Sequence, residues 1–312
     1  MNSRFNEITA KFATGALSKS AFIVQMHEQI HSVLFDYASH LGATDIASIK
    51  ICDGQVVMTS RADGIRIAVD AYDHRTAPIE ILNFGSYEPE ETMIIRSIAK
   101  SMNTMLDIGA NIGWYSLLAK SINPGSIVHA FEPIPTTFEK LIANCRLNDC
   151  KAINCYNYGF SAAPGSFPFY FYPEGGINAS LQNLSERDDV SIVNCELRLL
   201  DSILEWLDPE CKVDFIKCDV EGNELFVIQG GMALISHHKP VLLLELLRKW
   251  SARFNYHPNK VINLLGDIGY KAYVVNPNKG LLHIPAITED TIQTNFFFVH
   301  PESRLHSSLL LC

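Results

Sequence analysis

The sequence predicts an α/β fold, a doubly wound and mostly parallel sheet with helices on both faces. Three observations carry this reading. From about residue 86, short apolar runs alternate with helix-patterned segments, as strand–helix–strand units do. One run, PVLLLEL (240–246), is apolar enough for a strand buried on both faces, as parallel sheets require. A third segment, LDIGANIGWYS (106–116), reads as a strand end, a glycine-containing turn and the start of a helix.

In chain order, residues 18–41 predict an amphipathic helix, with Ile23, Met26, Ile30, Val33, Leu34 and Tyr37 at helical spacing. Between about 47 and 84 the runs GQVVMTS and GIRIAVDAY, separated by Asp-Gly turn signals, predict short strands. Residues 1–84 are therefore expected to form a small N-terminal α+β subdomain, and residues 85–312 the main domain. There TMLDIG, SIVHAFEP, INCYNYGF, KVDFIKCDVEG and PVLLLEL are the expected strands. WYSLLAKSI and PTTFEKLIANCRLND are expected helices, the second with a capping box from Thr136 and Glu139 and a buried face of Phe138, Leu141, Ile142 and Cys145. Leu225, Ile228 and Met232 mark another helix, Pro258 opens one more, and YKAYVV with NFFFVH form a closing antiparallel pair. Residues 161–200, with the aromatic and glycine-rich run FPFYFYPEGGINAS, are long for a crossover and suggest a lid over a substrate.

Composition narrows the class. The 312 residues suffice for one large domain and an appendage, and 47% hydrophobic against 19% charged residues fits a globular protein. A formal net charge of −9 argues against a polyanion such as nucleic acid as the main partner. None of the eight cysteines forms a C-x-x-C pair, so neither a zinc knuckle nor a thioredoxin-like site is expected. The first 20 residues lack an apolar signal core, and no stretch reaches the roughly 20 apolar residues of a membrane span. The expectation is a cytoplasmic protein with reduced, mostly buried thiols; oligomeric state is not legible.

The glycine turn points to a nucleotide-like ligand. A dinucleotide fingerprint starting at Gly109 would need glycines at 111 and 114, which hold Asn111 and Trp114. That disfavours a nicotinamide dehydrogenase. Asp107 places a carboxylate where a pyrophosphate would be repelled and a cationic amine attracted. Glu132 ends the next strand, 25 residues after Asp107 and 19 after Gly113, where a carboxylate can accept from both ribose hydroxyls. The spacing fits an adenosine ligand without a pyrophosphate.

With these segments in view, the chain resembles the FkbM-type methyltransferases, a class I, Rossmann-like branch of the S-adenosylmethionine-dependent enzymes. The likeness runs from about residue 80 to 300 and rests on GSYEPEE (85–91), LDIGANIGWYS, AFEPIP (130–135), DFIKCDVEGNEL (214–225) and LLLEL (242–246), with DVEG the most specific element. The resemblance implies a seven-stranded sheet with one antiparallel strand. It implies S-adenosylmethionine contacts from Asp107, Gly109, Ala110, Asn111 and Gly113, a ribose contact from Glu132 beside Pro133, adenine near Tyr158, Gly159 and Phe160, and a contribution from Glu88. It also implies O-methylation of a hydroxyl on a sugar, glycan, glycolipid or secondary metabolite.

At the strand ends, where such sheets bind ligands, the chain offers Asp107, Asp219, Glu221 and Glu245. Lys217 and Asp219, two apart on one strand, share a face. Methyl transfer to a weakly acidic hydroxyl calls for alignment and a nearby base, with Asp219, Glu221, Glu245 and His257 as candidates. Alternatively, Asp219 and Glu245 could hold a divalent ion such as Mg2+ that acidifies the hydroxyl, or Asp219 could hold the cofactor's amine. Arg248 and Trp250 of LLRKW are further candidates for holding a polar acceptor. Two rival readings stand beside this one. His27-Glu28-Gln29-Ile30-His31 matches the zinc metallohydrolase pattern H-E-x-x-H, although Leu34 and Tyr37 break its extended form. A binding protein that kept the fold without catalysis is the other.

Overall fold

In the computed structural model, residues 4–150, 152–172, 175–183, 190–276 and 280–309 are described. The chain opens with helices α1 (Arg4–Ala13), α2 (Lys19–Met26) and α3 (Val33–His40), the last two joined by a π-helical turn at His27–His31. The helix predicted over 18–41 thus forms with a one-turn irregularity. Its apolar residues do not enter the core: Leu34 is 57% exposed and Ile23 56%.

Strands β1 (Ile46–Cys52), β2 (Gln55–Ser60) and β3 (Arg66–Val69) form a three-stranded antiparallel sheet. Helices α4 (Ala77–Phe84) and α5 (Pro89–Ala99) lead into the main sheet. Met58, Ile67 and Ile81 share one hydrophobic cluster with Ile94, Met105 and Leu117, so the small sheet packs against the large one across a common core. Asn144 and Asn148 reinforce that contact by accepting from the Ala68 and Arg66 amides at 3.0 and 2.8 Å.

The next elements are β4 (Thr104–Ile108), α6 (Trp114–Ile122), β5 (Ile127–Phe131), α7 (Pro135–Leu147) and β6 (Ile153–Tyr156). Strands β7 (Gly159–Phe160), β8 (Gly165–Tyr172), β9 (Gly175–Ser180) and β10 (Ser191–Arg198) follow. Then come β11 (Phe215–Cys218), α8 (Glu224–Gln229), α9 (Met232–His238), β12 (Val241–Glu245), α10 (Arg248–Arg253) and α11 (Asn259–Gly266). The described chain closes with β13 (Lys271–Asn276), β14 (Gly280–His283), β15 (Asn295–Val299) and α12 (His306–Leu309).

The main sheet has the order β14-β13-β15-β12-β11-β4-β5-β6. Strands β6, β5, β4, β11 and β12 run parallel, β15 is antiparallel to β12, and β13 is antiparallel to β15. Those seven strands are the Rossmann-like sheet with one reversed strand that the resemblance implies. An eighth, β14, pairs antiparallel with β13 as a hairpin at one edge. The central strands are apolar because both faces are covered: every residue of β4 and β11 is buried.

Two local expectations change. Helix α7 starts with Pro135 at its first position, so Ile134 is the N-cap and Thr136 already lies inside; the capping box does not form. The run INCYNYGF does not make one strand. It breaks after Tyr156, and Gly159–Phe160 joins a second sheet of order β7-β10-β8-β9. That sheet is what residues 161–200 build, apart from 173–174 and 184–189, which lie outside the described residues. No helix among the described residues is long and apolar enough to cross a membrane.

Candidate functional site

The turn after β4 is shaped by two glycines. Gly109 has φ +73°, and a Cβ there would stand 1.9 Å from the Asp219 carbonyl oxygen. Only glycine lets the turn after β4 pass the segment after β11 so closely. Gly113, at φ +94°, lies where a Cβ would meet Leu141 of α7 at 2.6 Å. Between them the amides of Gly109 and Ala110 both donate to the Phe131 carbonyl at 3.0 Å, fastening the turn to β5.

Glu132 completes the enclosure. Its Oε2 accepts from the Asn111 N–H at 3.0 Å, with Asn111 in the left-handed region at φ +50°, and its Oε1 accepts from the Ile134 N–H at 2.9 Å. Burial pushes the Glu132 carboxyl up to about 7, while the two amides pull it back down. Asp107 sits lower, fully buried. One oxygen accepts from Ser116 Oγ at 2.6 Å; the other, Oδ1, has no hydrogen-bond partner among the described residues. Burial raises its pKa, against the pull of Lys217, which lies across from it in the β4–β11 register.

The end of β11 gathers charge. Lys217 Nζ donates to Asp219 Oδ2 and to the Gly109 carbonyl, each at 3.1 Å, and lies 5.5 Å from the centre of the Tyr115 ring. Burial opposes its charge, but Asp219 and Asp107 outweigh burial and hold its pKa above the ordinary lysine value. Tyr115 in turn donates to Glu88, whose carboxyl burial pushes up to about 7. Asp219, Glu221 and Glu245 each offer a carboxylate oxygen within 4.8 Å of the others, a cluster drawn from the ends of neighbouring strands β11 and β12. Burial, then the Asp219 charge, raises both Glu221 and Glu245 well above the ordinary carboxylate range. Glu221 Oε2 is buried without a partner among the described residues.

Glu224 fixes the DVEG turn. Its Oε1 accepts from the Val220 and Gly222 amides at 3.0 and 3.2 Å, and its Oε2 from the Tyr256 hydroxyl at 3.3 Å. This lock holds Glu221 at φ +53°. Spacing alone did not single out Glu224; its signal is an acid three residues beyond Glu221, at the first turn of α8.

These parts line one cleft. Of the residues anticipated from sequence, Gly109, Ala110, Asn111, Glu132, Pro133, Gly159, Phe160, Lys217, Asp219 and Glu221 line it. Glu245 joins through its cluster with Asp219 and Glu221, and Glu88 through Tyr115. Asp107 and Gly113 lie behind the turn rather than on the wall. Tyr158 is not on the wall either. Its ring packs against Phe131 and under the Arg198 guanidinium, 3.8 Å from the ring centre. Residues missed from sequence are Arg75 from the N-terminal region, Tyr87 just ahead of α5, Trp114, Tyr115 and Asn223 beside the turns, and Phe169, Leu181 and Leu197 from the second sheet.

Three anticipated residues fall outside the cleft. His257 is exposed, and its Nδ1 accepts from the Asn259 amide at 3.2 Å; it stabilises the start of α11 instead of facing the acids. Arg248 donates to the Glu289 carbonyl at 3.1 Å, and Lys249 lies over the Trp250 ring at 4.1 Å. The zinc pattern also fails to assemble. His27, Glu28 and His31 are exposed on the π-helical turn, and the three-ligand cluster found among the described residues is the Asp219 one.

The chain is similar in sequence to known methyltransferases. The methyltransferase sdnD of Sordaria araneosa is 31% identical over 156 residues, 40% of this chain and 59% of that protein. The 31-O-demethyl-FK506 methyltransferase FkbM of Streptomyces tacrolimicus is 50% identical over 42 residues, 14% of this chain and 16% of that protein. The chain spans 59% and 57% of the lengths of two curated relatives that it matches, sdnD and methyltransferase 1 of Beauveria bassiana. A solved methyltransferase FkbM from Methylobacillus flagellatus KT aligns with a TM-score of 0.41 at 18% identity, over 74% of this chain and 56% of that one. Residues 107–272, which hold the glycine turn, Glu132 and the acid cluster, match the model of the methyltransferase FkbM domain, and the chain belongs to that family.

Proposed function

We propose that this protein transfers a methyl group from S-adenosylmethionine to a hydroxyl oxygen of a small-molecule or glycan acceptor. The observation that carries the reading is the placing of two acidic features in one cleft: Glu132 bound to the Asn111 amide on one wall, and Asp219 with Glu221 on another. The first suits a nucleoside, the second a reacting hydroxyl.

On this reading Gly109, Ala110 and Asn111 present backbone to the cofactor, and Glu132 accepts from its ribose. Gly159 and Phe160, beside Pro133, cover the adenine. Asp107 supports the turn from behind through Ser116, and its unpartnered oxygen is available to a donor that reaches it. S-adenosylmethionine supplies the electrophilic methyl group when bound. The chain's task is then to align the acceptor oxygen and take its proton. Carboxylates whose pKa burial raises are stronger bases than exposed ones, which favours Glu221 and Glu245 in that role, with Asp219 as their charged neighbour. Lys217 holds Asp219 in place. We assign residues 85–312 as the catalytic unit and 161–200 as the acceptor lid, because Phe169, Leu181 and Leu197 reach the cleft from that segment.

A second reading keeps the same acceptor but places a divalent ion, such as Mg2+, among Asp219, Glu221 and Glu245. The close approach of three carboxylates and the unpartnered Glu221 Oε2 favour it. There the ion would lower the pKa of the acceptor hydroxyl.

Calorimetric titration with S-adenosylhomocysteine, with NAD as control, tests the cofactor. Micromolar binding of the former alone is expected, followed by methyl transfer to hydroxylated acceptors. Absence of binding by folded protein would overturn the reading. Binding without transfer to any acceptor would favour a non-catalytic role.

A further inference from the structure

Away from the cleft, where α7 meets β6, a surface groove is lined by Cys145, Cys150 and Cys155 beside Arg146 and Asp149. All three thiols are free. Cys145 Sγ and Cys155 Sγ stand 3.8 Å apart, one on the helix and one on the strand. A disulfide needs about 2.05 Å, so closing the pair asks for an approach of under roughly 2 Å. The two thiols are not equivalent. Cys145 is buried, and its hydrogen bond with Cys155, with burial second, raises its pKa. Cys155 is half-buried, and the same bond holds it below the ordinary thiol value. The more exposed Cys155 thus meets an oxidant first, and the buried Cys145 beside it is placed to resolve.

Each cysteine is next to a residue that braces the glycine turn. Asn144 donates from Nδ2 to the Ile112 carbonyl at 3.0 Å. The Tyr156 carbonyl accepts from the Glu132 N–H at 3.0 Å, and Glu132 holds Asn111. Drawing Cys145 and Cys155 together therefore pulls on both braces of residues 109–113.

We propose that Cys145 and Cys155 are a modification site for peroxide-class oxidants, and that closing their disulfide loosens the 109–113 turn. The Cys155 thiolate attacks a peroxide oxygen and the O–O bond breaks. The departing hydroxide takes the proton that the Cys155 thiol gave up and leaves as water, and Cys155 becomes a sulfenic acid. Cys145 sulfur then attacks the sulfenic sulfur and the S–O bond breaks. The Cys145 proton leaves with the hydroxyl as a second water, and the S–S bond forms. Two thiols are oxidised and one peroxide is reduced to two waters.

The test is titration of the full chain with hydrogen peroxide, followed by intact mass, non-reducing peptide mapping and amide hydrogen exchange. The expected result is loss of two hydrogens, a Cys145–Cys155 peptide crosslink reversed by dithiothreitol, and several-fold faster exchange over 109–113. Cys150→Ser should behave like the parent, and Cys155→Ser should show neither crosslink nor faster exchange. Four results would each overturn the proposal. These are sulfinic acid without a crosslink, a crosslink through Cys150, a Cys145–Cys155 crosslink with exchange unchanged, or the same loosening in Cys155→Ser. The readout needs no ligand, so it stands apart from the cofactor assignment.

Discussion

The Asn111 N–H donates to Glu132 Oε2 at 3.0 Å, joining the turn after β4 to the acid after β5. The two residues are 21 apart in sequence and belong to successive strand–helix units, so this one bond sets the spacing between the glycine turn and Glu132. It also uses only part of the carboxylate. Each Glu132 oxygen takes one backbone amide, which leaves acceptor capacity on both for a ligand.

Removing that carboxylate should therefore cost ligand affinity. Glu132→Ala is expected to weaken S-adenosylhomocysteine binding by roughly 1–3 kcal/mol, the range for charge-assisted hydrogen bonds lost from a buried site. Calorimetry on the variant checks it. An unchanged dissociation constant would remove Glu132 from the nucleoside site.

Gly109 gives a test of the turn itself. With φ +73° and the Asp219 carbonyl 1.9 Å from a Cβ, Gly109→Ala must shift the backbone. A loss of at least about 1–3 kcal/mol in unfolding free energy is expected, the cost of strained left-handed backbone. Gly42→Ala is the control, since nothing lies within 4 Å of its Cβ and its φ is ordinary; it should stay within about 0.5 kcal/mol. Urea unfolding of both variants decides. A Gly109→Ala protein as stable as the control would mean that the turn can relax away from β11.

What the sequence made legible follows the reach of each signal. Runs such as TMLDIG and PVLLLEL gave β4 and β12 because burial on both faces leaves a local apolar imprint. Asp219 and Glu221 were locatable because the end of a parallel strand is where ligands bind. His257 misled because a histidine before a helix serves equally as a base or as a cap, and only the 3.2 Å contact to Asn259 separates the two. The resemblance groups Tyr158 with Gly159 and Phe160, yet the chain breaks between β6 and β7 and turns the Tyr158 ring toward Phe131. Arg75 left no sign in the pattern, and Tyr87 sits inside the GSYEPEE run with nothing to mark it as a wall residue. Both reach the cleft through tertiary packing, which no local period encodes. The exposed apolar side of α2 and α3 shows the converse, a helical period whose face the fold does not bury.

Glu224 should leave a pH signature on stability. Burial pushes its carboxyl up to about 7 from an ordinary 4.5, ahead of the amides that lower it. A carboxyl whose folded pKa is raised binds its proton more tightly in the folded state. Its stabilising contribution is therefore complete below about 4.5 and is lost as pH rises through about 7. Glu224→Gln removes the titration while keeping an acceptor for the Val220 and Gly222 amides. The stability of the parent minus that of the variant is expected to fall between those two values and to level off above them. Urea midpoints across that range measure it. A difference that stays flat would mean that Glu224 ionises in the folded protein as easily as in the unfolded chain.

Asp219 separates the base and metal versions of the chemistry. It is the shared neighbour of Lys217, Glu221 and Glu245, so Asp219→Asn disturbs the cluster without emptying it. If the cluster takes the acceptor's proton directly, turnover should fall about 10²- to 10⁴-fold, the usual worth of a positioned base. Affinity for S-adenosylhomocysteine should be retained, and turnover of the parent should be indifferent to EDTA. Turnover should also decline in acid, because Glu221 and Glu245 hold their protons well above the ordinary carboxylate range, burial being the main cause. If instead a divalent ion sits among the three carboxylates, EDTA should abolish turnover of the parent and Mg2+ should restore it. A variant that loses S-adenosylhomocysteine affinity together with turnover would place Asp219 against the cofactor's amine, leaving Glu221 and Glu245 to act on the acceptor. A fully active variant would remove Asp219 from the chemistry altogether.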